Sequence, residues 1–173
     1  MTYKESVTQA MTTLGEREDV VFLGEGLINA GRVYGTLEEV PVSKCIEMPI
    51  AENLIVSCAI GLALAGYLPV VVFTRMDFML CAADAIINHL GMMQEYSNGQ
   101  ACPKVILRAI VGDSKGKFDC GIQHTQDHTH MFSRYIATRV IFNPVRDYKQ
   151  ITTHTCAVLT VEKKEYYDNI VAD

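Results

Sequence analysis

Apolar positions in this chain follow two spacings that take turns. Val7, Ala10, Met11 and Leu14 recur at helical spacing across residues 3–14, which predicts an amphipathic opening helix. Val20-Val21-Phe22-Leu23 then runs unbroken into Gly24-Glu25-Gly26, the pattern of a buried strand followed by a turn. Residues 27–44 are irregular and glycine-bearing, a candidate functional loop. Residues 45–47 predict a short strand, and residues 53–67 carry no charge at all. A helix apolar on every face is expected to be buried. Further strands are predicted at 69–73, 104–111, 138–142 and 156–161, with helices over 78–93 and 125–135 and a short one from Pro144. The strands are rich in Val and Ile without polar alternation, and they alternate with helices. That pattern predicts an α/β fold, a mostly parallel sheet with helices on both faces. No repeat, linker or low-complexity tract divides residues 1–173, so one domain is expected.

Composition sharpens this picture in three places. A hydrophobic share of 49% with positive mean hydropathy is rich for a free-standing domain of 173 residues, so part of the surface is expected to be covered by a partner. A net charge of −5, with Lys and Arg scattered, offers no basic stripe and argues against nucleic acid. The first residues lack the apolar core of a signal peptide, and the longest uncharged run, 53–74, is interrupted by Gly61 and Gly66, so no membrane span is expected. Six cysteines, at 45, 58, 81, 102, 120 and 156, are spaced irregularly in mostly apolar surroundings. They predict reduced, buried thiols in a cytoplasmic protein.

Two stretches carry candidate chemistry. In Ile46-Glu47-Met48-Pro49-Ile50-Ala51-Glu52-Asn53, a strand and a Pro corner place Glu52 at the mouth of the uncharged helix. Carboxylates are rare in such places unless paired or used; the alternative is a helix-start acid favoured by the macrodipole. Gln123-His124-Thr125-Gln126-Asp127-His128-Thr129-His130 holds three of the five histidines. On a helix, His124 and His128 would share a face and His130 would not, which is poor geometry for zinc. A polar loop at the rim of a site fits better, because glycines precede it; a solvated helix start is the plainer reading. Gly112-Asp113-Ser114 with Asn143 lacks the third glycine and second Asn of a Mg-diphosphate signature, and no phosphate-cradling glycine motif occurs. No Cys stands in an electropositive setting that would mark it as a reactive nucleophile.

Taken in order, Val21-Phe22-Leu23-Gly24-Glu25, Glu47-Met48-Pro49-Ile50-Ala51-Glu52, Gly61-Leu62-Ala63-Leu64-Ala65-Gly66-Tyr67-Leu68-Pro69-Val70, Asp77-Phe78, Ile86-Ile87-Asn88-His89, Tyr96-Ser97-Asn98-Gly99-Gln100 and Gln123-His124-Thr125-Gln126 form a familiar series. The chain resembles the pyrimidine-binding domain of the transketolase superfamily of thiamine diphosphate enzymes. The similarity is strongest to the beta subunits of the decarboxylating component of pyruvate dehydrogenase-type complexes, and it runs from about residue 3 to about residue 161. The resemblance implies that Glu52 hydrogen-bonds N1′ of the aminopyrimidine and shares a proton there, so that the cofactor's amino nitrogen can take the C2 proton of the thiazolium. Ile50, Leu54 and Ile55 are expected to surround Glu52 and, by desolvation, to raise its pKa. Phe78 matches the aromatic that packs on the pyrimidine, and Phe73 is expected to remain core. His124 matches the His facing thiazolium and substrate, and Glu25 a second buried acid near the cofactor.

The resemblance also implies a partner. The diphosphate and Mg sites of such enzymes lie on another domain, expected here on a separate subunit, with catalysis at an α2β2 interface. Cleavage or transfer beside a ketone, on a 2-oxo acid or a ketose, is the implied chemistry. The family's C-terminal domain is absent from these 173 residues, which counts against a place in the large complexes. Met76 replaces a usual aromatic, and Asp127-His128-Thr129-His130 is more polar than its counterpart, so the substrate is expected to differ from pyruvate, with His128 and His130 shaping the choice. Two rival readings stand beside this one: a non-catalytic binding or regulatory domain that keeps the fold, and a metal hydrolase built on His124, His128 and His130.

Overall fold

The chain enters its first helix, α1 (Tyr3–Gly15), through a capping box: the Thr2 hydroxyl accepts the Glu5 N–H, and the Glu5 carboxylate accepts the Thr2 N–H at 2.7 Å. The predicted stripe of Val7, Ala10, Met11 and Leu14 is buried. The computed structural model describes residues 1–29, 31–114 and 121–171. Six strands follow in chain order: β1 (Val20–Gly24), β2 (Cys45–Glu47), β3 (Leu68–Phe73), β4 (Ile106–Val111), β5 (Ala137–Val140) and β6 (Val158–Lys163). They form one sheet in the order β2-β1-β3-β4-β6-β5, parallel at every pairing. Residues along β3 alternate between two cores: Val70 and Val72 pack with α1 and α5 (Pro144–Ile151), Val71 and Phe73 with α2 (Glu52–Leu64) and residues 76–90. A sheet buried on both faces explains why its strands read as continuous apolar runs. The expected α/β architecture is therefore present, with a sheet that is wholly rather than mostly parallel.

Three expectations need correction. First, α2 is not interior to this chain. It buries one stripe, Ile55, Val56, Ala59 and Ile60, while Leu54, Leu64 and the following Tyr67 are 48%, 56% and 49% exposed. Second, no continuous α-helix spans 78–93. A 3₁₀ segment (Met76–Ala82), a π-helical turn (Ala85–Leu90) and a single turn α3 (Met93–Tyr96) replace it. The Ala85 N–H is taken by Asn53 Oδ1 at 3.0 Å, and that tertiary bond interrupts the helical ladder. Third, Cys102 and Cys156 are joined in a disulfide, so the reduced-thiol reading fails for that pair. The register that sets Ile106 beside Val158 brings the lead-ins to β4 and β6 together. Cys45, Cys58 and Cys81 are free, and Cys120 lies outside the described residues. Among the described residues no helix is long and apolar enough to cross a membrane.

One buried polar network crosses the sheet. Arg108 on β4 and Glu162 on β6, both without exposed surface, pair through two N–H···O bonds of 2.9 Å. Arg108 also donates to Thr36 Oγ1 at 2.9 Å, and Glu162 accepts the hydroxyls of Tyr148 (2.6 Å) and Tyr167 (3.2 Å). Removing one member strands a buried charge, so Arg108→Met should lose about 3–5 kcal/mol, a fall of roughly 6–20 °C in Tm for a chain of this size. The Arg108→Met, Glu162→Leu double variant should recover part of that loss in the same thermal scan, and strict additivity would contradict the pairing. Burial, reinforced by the Glu162 charge, pushes the hydroxyls of Tyr3, Tyr148 and Tyr167 far above their ordinary range. Folding therefore favours their protonated forms. The stability they contribute is intact below the unfolded value of about 10 and is lost as pH rises beyond it. Urea titrations between neutral pH and pH above about 10 should show that decline, and Tyr148→Phe should make it shallower.

Candidate functional site

The strand order brings the chain out of β1 toward β2 at one edge and returns it on the other side as β3. In open α/β sheets, ligands bind beyond the carboxyl ends of the strands at such a switch point. Four segments meet there: Gly24-Glu25-Gly26 after β1, the Pro49 corner after β2, Thr74–Phe78 after β3, and Gly112 after β4.

The first two are tied by Glu47, whose carboxylate accepts the backbone N–H groups of Gly26, Leu27 and Ile28 at 2.6, 2.9 and 2.8 Å. The loop that follows is held by Arg32, which donates to the carbonyls of Leu27, Glu38 and Val40 at 2.9, 3.0 and 2.8 Å. Residues 31–35 all have positive φ, a left-handed turn that only such bonding makes tolerable in non-glycine residues. Tyr34 near its end donates to the Thr74 carbonyl at 3.3 Å, at the start of the third segment.

Glu52 is the first residue of α2 and is half-buried. Its neighbour Asn53, by holding Ala85, docks the start of α2 onto the π-helical turn that follows the segment carrying Phe78. The expected apolar surround is not closed by this chain: Ile50 is 75% exposed, Leu54 is exposed as well, and only Ile55 is buried. Glu25, expected as a buried acid, is exposed. Phe73 is core, as expected.

The Phe78 ring is half-buried and stands edge-on to His124, with centroids 5.6 Å apart and planes at 90°. Beneath it, Asp77 Oδ1 accepts the Gln126 N–H at 3.2 Å and Met76 Sδ accepts the His128 N–H at 3.2 Å. Asp127 Oδ1 takes the Thr129 N–H at 2.9 Å. These sideways bonds explain why the helix predicted over 125–135 shrinks to one turn, α4 (Thr129–Phe132), preceded by a 3₁₀ turn at Ile122–His124. His124 and His128 consequently do not share a helical face, and His130 is exposed. Burial pushes the Asp127 pKa up, but the Thr129 bonds and Lys163, 3.7 Å away, outweigh it and hold the carboxyl below its ordinary value. Among the described residues no three His, Cys, Asp or Glu side chains gather as a metal site.

Asp77, Glu47 and Gly112 are the site residues to which pattern reading gave no role, and Met76 was marked only as a departure that shapes the substrate. A signal existed for Asp77, an acid set between apolar Met76 and Phe78-Met79. At Gly112, a Cβ would collide with the His124 carbonyl oxygen, so the loop bearing His124 can lie against the end of β4 only over a glycine.

Comparison with known proteins agrees with this fold. Residues 1–149 match the family described as transketolase, pyrimidine binding domain, and the chain belongs to that family. It is 30% identical over 146 residues to the pyruvate dehydrogenase E1 component subunit beta of Rickettsia felis, covering 82% of this chain and 44% of that protein. With the mitochondrial pyruvate dehydrogenase E1 component subunit beta of Saccharomyces cerevisiae it shares 28% identity over 146 residues, covering 82% and 39%. Among solved structures, its fold is similar to one described as a split gene transketolase, inactive beta4 tetramer, with TM-score 0.69 and 16% identity over 98% of this chain and 55% of that one. The chain spans less than half the length of these two curated relatives.

The packing at Gly112 predicts that Gly112→Ala will cost about 1–3 kcal/mol and weaken protection of amides 122–129 in hydrogen exchange. Gly61 is the control, since it lies inside α2 with open space around its Cα. Gly61→Ala should gain about 0.5–1 kcal/mol in the same denaturation experiment. Equal effects at both positions would contradict the close approach at Gly112.

Proposed function

We propose that this chain is the pyrimidine-binding subunit of a split thiamine diphosphate enzyme that cleaves or transfers at the carbon beside a ketone in a 2-oxo acid or ketose. The observation that carries this reading is that Glu52, Phe78 and His124, which match the family's functional residues, follow β2, β3 and β4 at one end of the sheet, around its switch point. The residues present fit the cofactor's aminopyrimidine. A half-buried carboxylate at a helix start can share a proton with a ring nitrogen, and the half-buried Phe78 offers a stacking surface. Thiamine diphosphate, when bound, supplies the carbon nucleophile that attacks the substrate carbonyl.

In this reading Glu52 holds the proton at N1′, Phe78 keeps the pyrimidine in place, and His124 exchanges a proton with the substrate's oxygen. Ile50 lends an apolar contact and Glu25 a polar one at the cofactor's edge. His128 and His130 set substrate choice. The diphosphate and Mg are assigned to a separate subunit in an α2β2 assembly. Support for a partner comes from α2 and the corner before it: Ile50, Leu54, Leu64 and Tyr67 leave apolar surface that a second chain would cover and, around Glu52, dry. The rest of the protein-derived chemistry, orientation and exclusion of water, depends on that closure.

Glu52→Gln tests the central role. The amide keeps shape and a hydrogen bond but cannot relay a proton, and such relay is typically worth about 10²–10⁴-fold. The variant should fold, join the partner and take up cofactor, while C2 hydrogen–deuterium exchange on the bound cofactor, read by quenched NMR, falls by that factor. A helix-start acid of structural value alone predicts a stability loss of about 1 kcal/mol or less with exchange within a few-fold of wild type.

A further inference from the structure

Two side-chain atoms in the site are buried and have no hydrogen-bond partner among the described residues: Oδ2 of Asp77 and Nε2 of His128. They belong to the two segments joined by the bonds from Gln126 to Asp77 and from His128 to Met76. Asp77 is only 8% exposed and uses its other oxygen, Oδ1, on the Gln126 N–H at 3.2 Å. The His128 N–H bonds to the sulfur of Met76, the residue before Asp77, at 3.2 Å. The nearest other carboxylate on the loop, Asp127, is committed to Thr129 and Lys163. Burying an acceptor and a donor separately carries two desolvation penalties, and joining them removes both.

We propose that Asp77 is the positioning residue of His128: its Oδ2 accepts the Nε2–H of the imidazole after a side-chain rotation. A carboxylate bonded to one ring nitrogen fixes the tautomer and orientation of the ring. Nδ1 is then left as the acceptor of the neutral ring, suited to a hydroxyl donor on a ligand. The pair also gives His128 a role distinct from that of His124, whose ring meets Phe78. Substrate selection by His128 rests on the function proposed above; the hydrogen bond itself does not.

The test uses the full chain labelled with ¹⁵N-histidine, without cofactor or partner, so that its failure is separable from failure of the thiamine diphosphate reading. Wild type should show a downfield, slowly exchanging ring N–H assigned to His128 Nε2. In Asp77→Leu that resonance should move upfield or vanish, while the ring signals of His124 and His130 stay in place. Should Asp77→Leu not fold, Asp77→Asn keeps the shape, and its weaker, neutral acceptor should shift the same proton upfield. A His128 ring proton at the wild-type position in either folded variant, or none protected in wild type, would overturn the proposal.

Discussion

Arg108 and Glu162 put a full positive and a full negative charge where no water reaches, and the rest of the molecule is arranged to make that tolerable. Each comes from a central strand, and each remaining contact comes from a different part of the chain. Thr36 reaches in from the loop after β1, Tyr148 from α5, and Tyr167 from the segment after β6. Tyr3 of α1 then stacks on Tyr167, with centroids 6.0 Å apart. The network therefore joins the first helix, the last strand and the long loop into one body on one face of the sheet.

From that body a short path leads to the site. Thr36 follows directly on the left-handed turn at 31–35, and Tyr34 in that turn bonds to Thr74, three residues before Asp77. Asp77 and Met76 in turn hold residues 126 and 128. Backbone strain in the turn is offset by the bonds of Arg32 to three carbonyls, and Glu47 fixes the turn's entry from the neighbouring strand. Candidate functional side chains are thus carried on short segments between rigid strands, each pinned by a specific polar contact. Positions of this kind hold reacting groups more accurately than free loops do.

Much of this was legible from pattern. Every strand was visible because a parallel sheet covered on both faces needs uninterrupted Val and Ile, and the order of the motifs marked Glu52, Phe78 and His124 as candidates. What pattern could not show was the competition for backbone donors. Asn53 takes the Ala85 N–H, and Met76, Asp77 and Asp127 take those of His128, Gln126 and Thr129, so two predicted helices broke or shrank. The Asn53, Asp77 and Met76 bonds join residues about thirty to fifty positions apart, and none of the four leaves a local periodicity. Burial of α2 was overestimated for a related reason: an apolar helix reports that its surface will be covered, not by which chain. Arg108 and Glu162 did leave a trace, single opposite charges inside Val-Ile-Leu-Arg-Ala-Ile-Val and Val-Leu-Thr-Val-Glu, which read together announce a buried pair.

In the function proposed for it, this chain holds one half of a cofactor site and closes it with another subunit. Calorimetric binding of thiamine diphosphate with Mg, compared between the chain alone and the chain co-purified with a subunit carrying the diphosphate site, measures this directly. Saturable, Mg-dependent binding of one cofactor per pyrimidine-binding chain is predicted in the complex, with none resolved for the chain alone. Stoichiometric binding and full turnover by the 173-residue chain without a partner would contradict it.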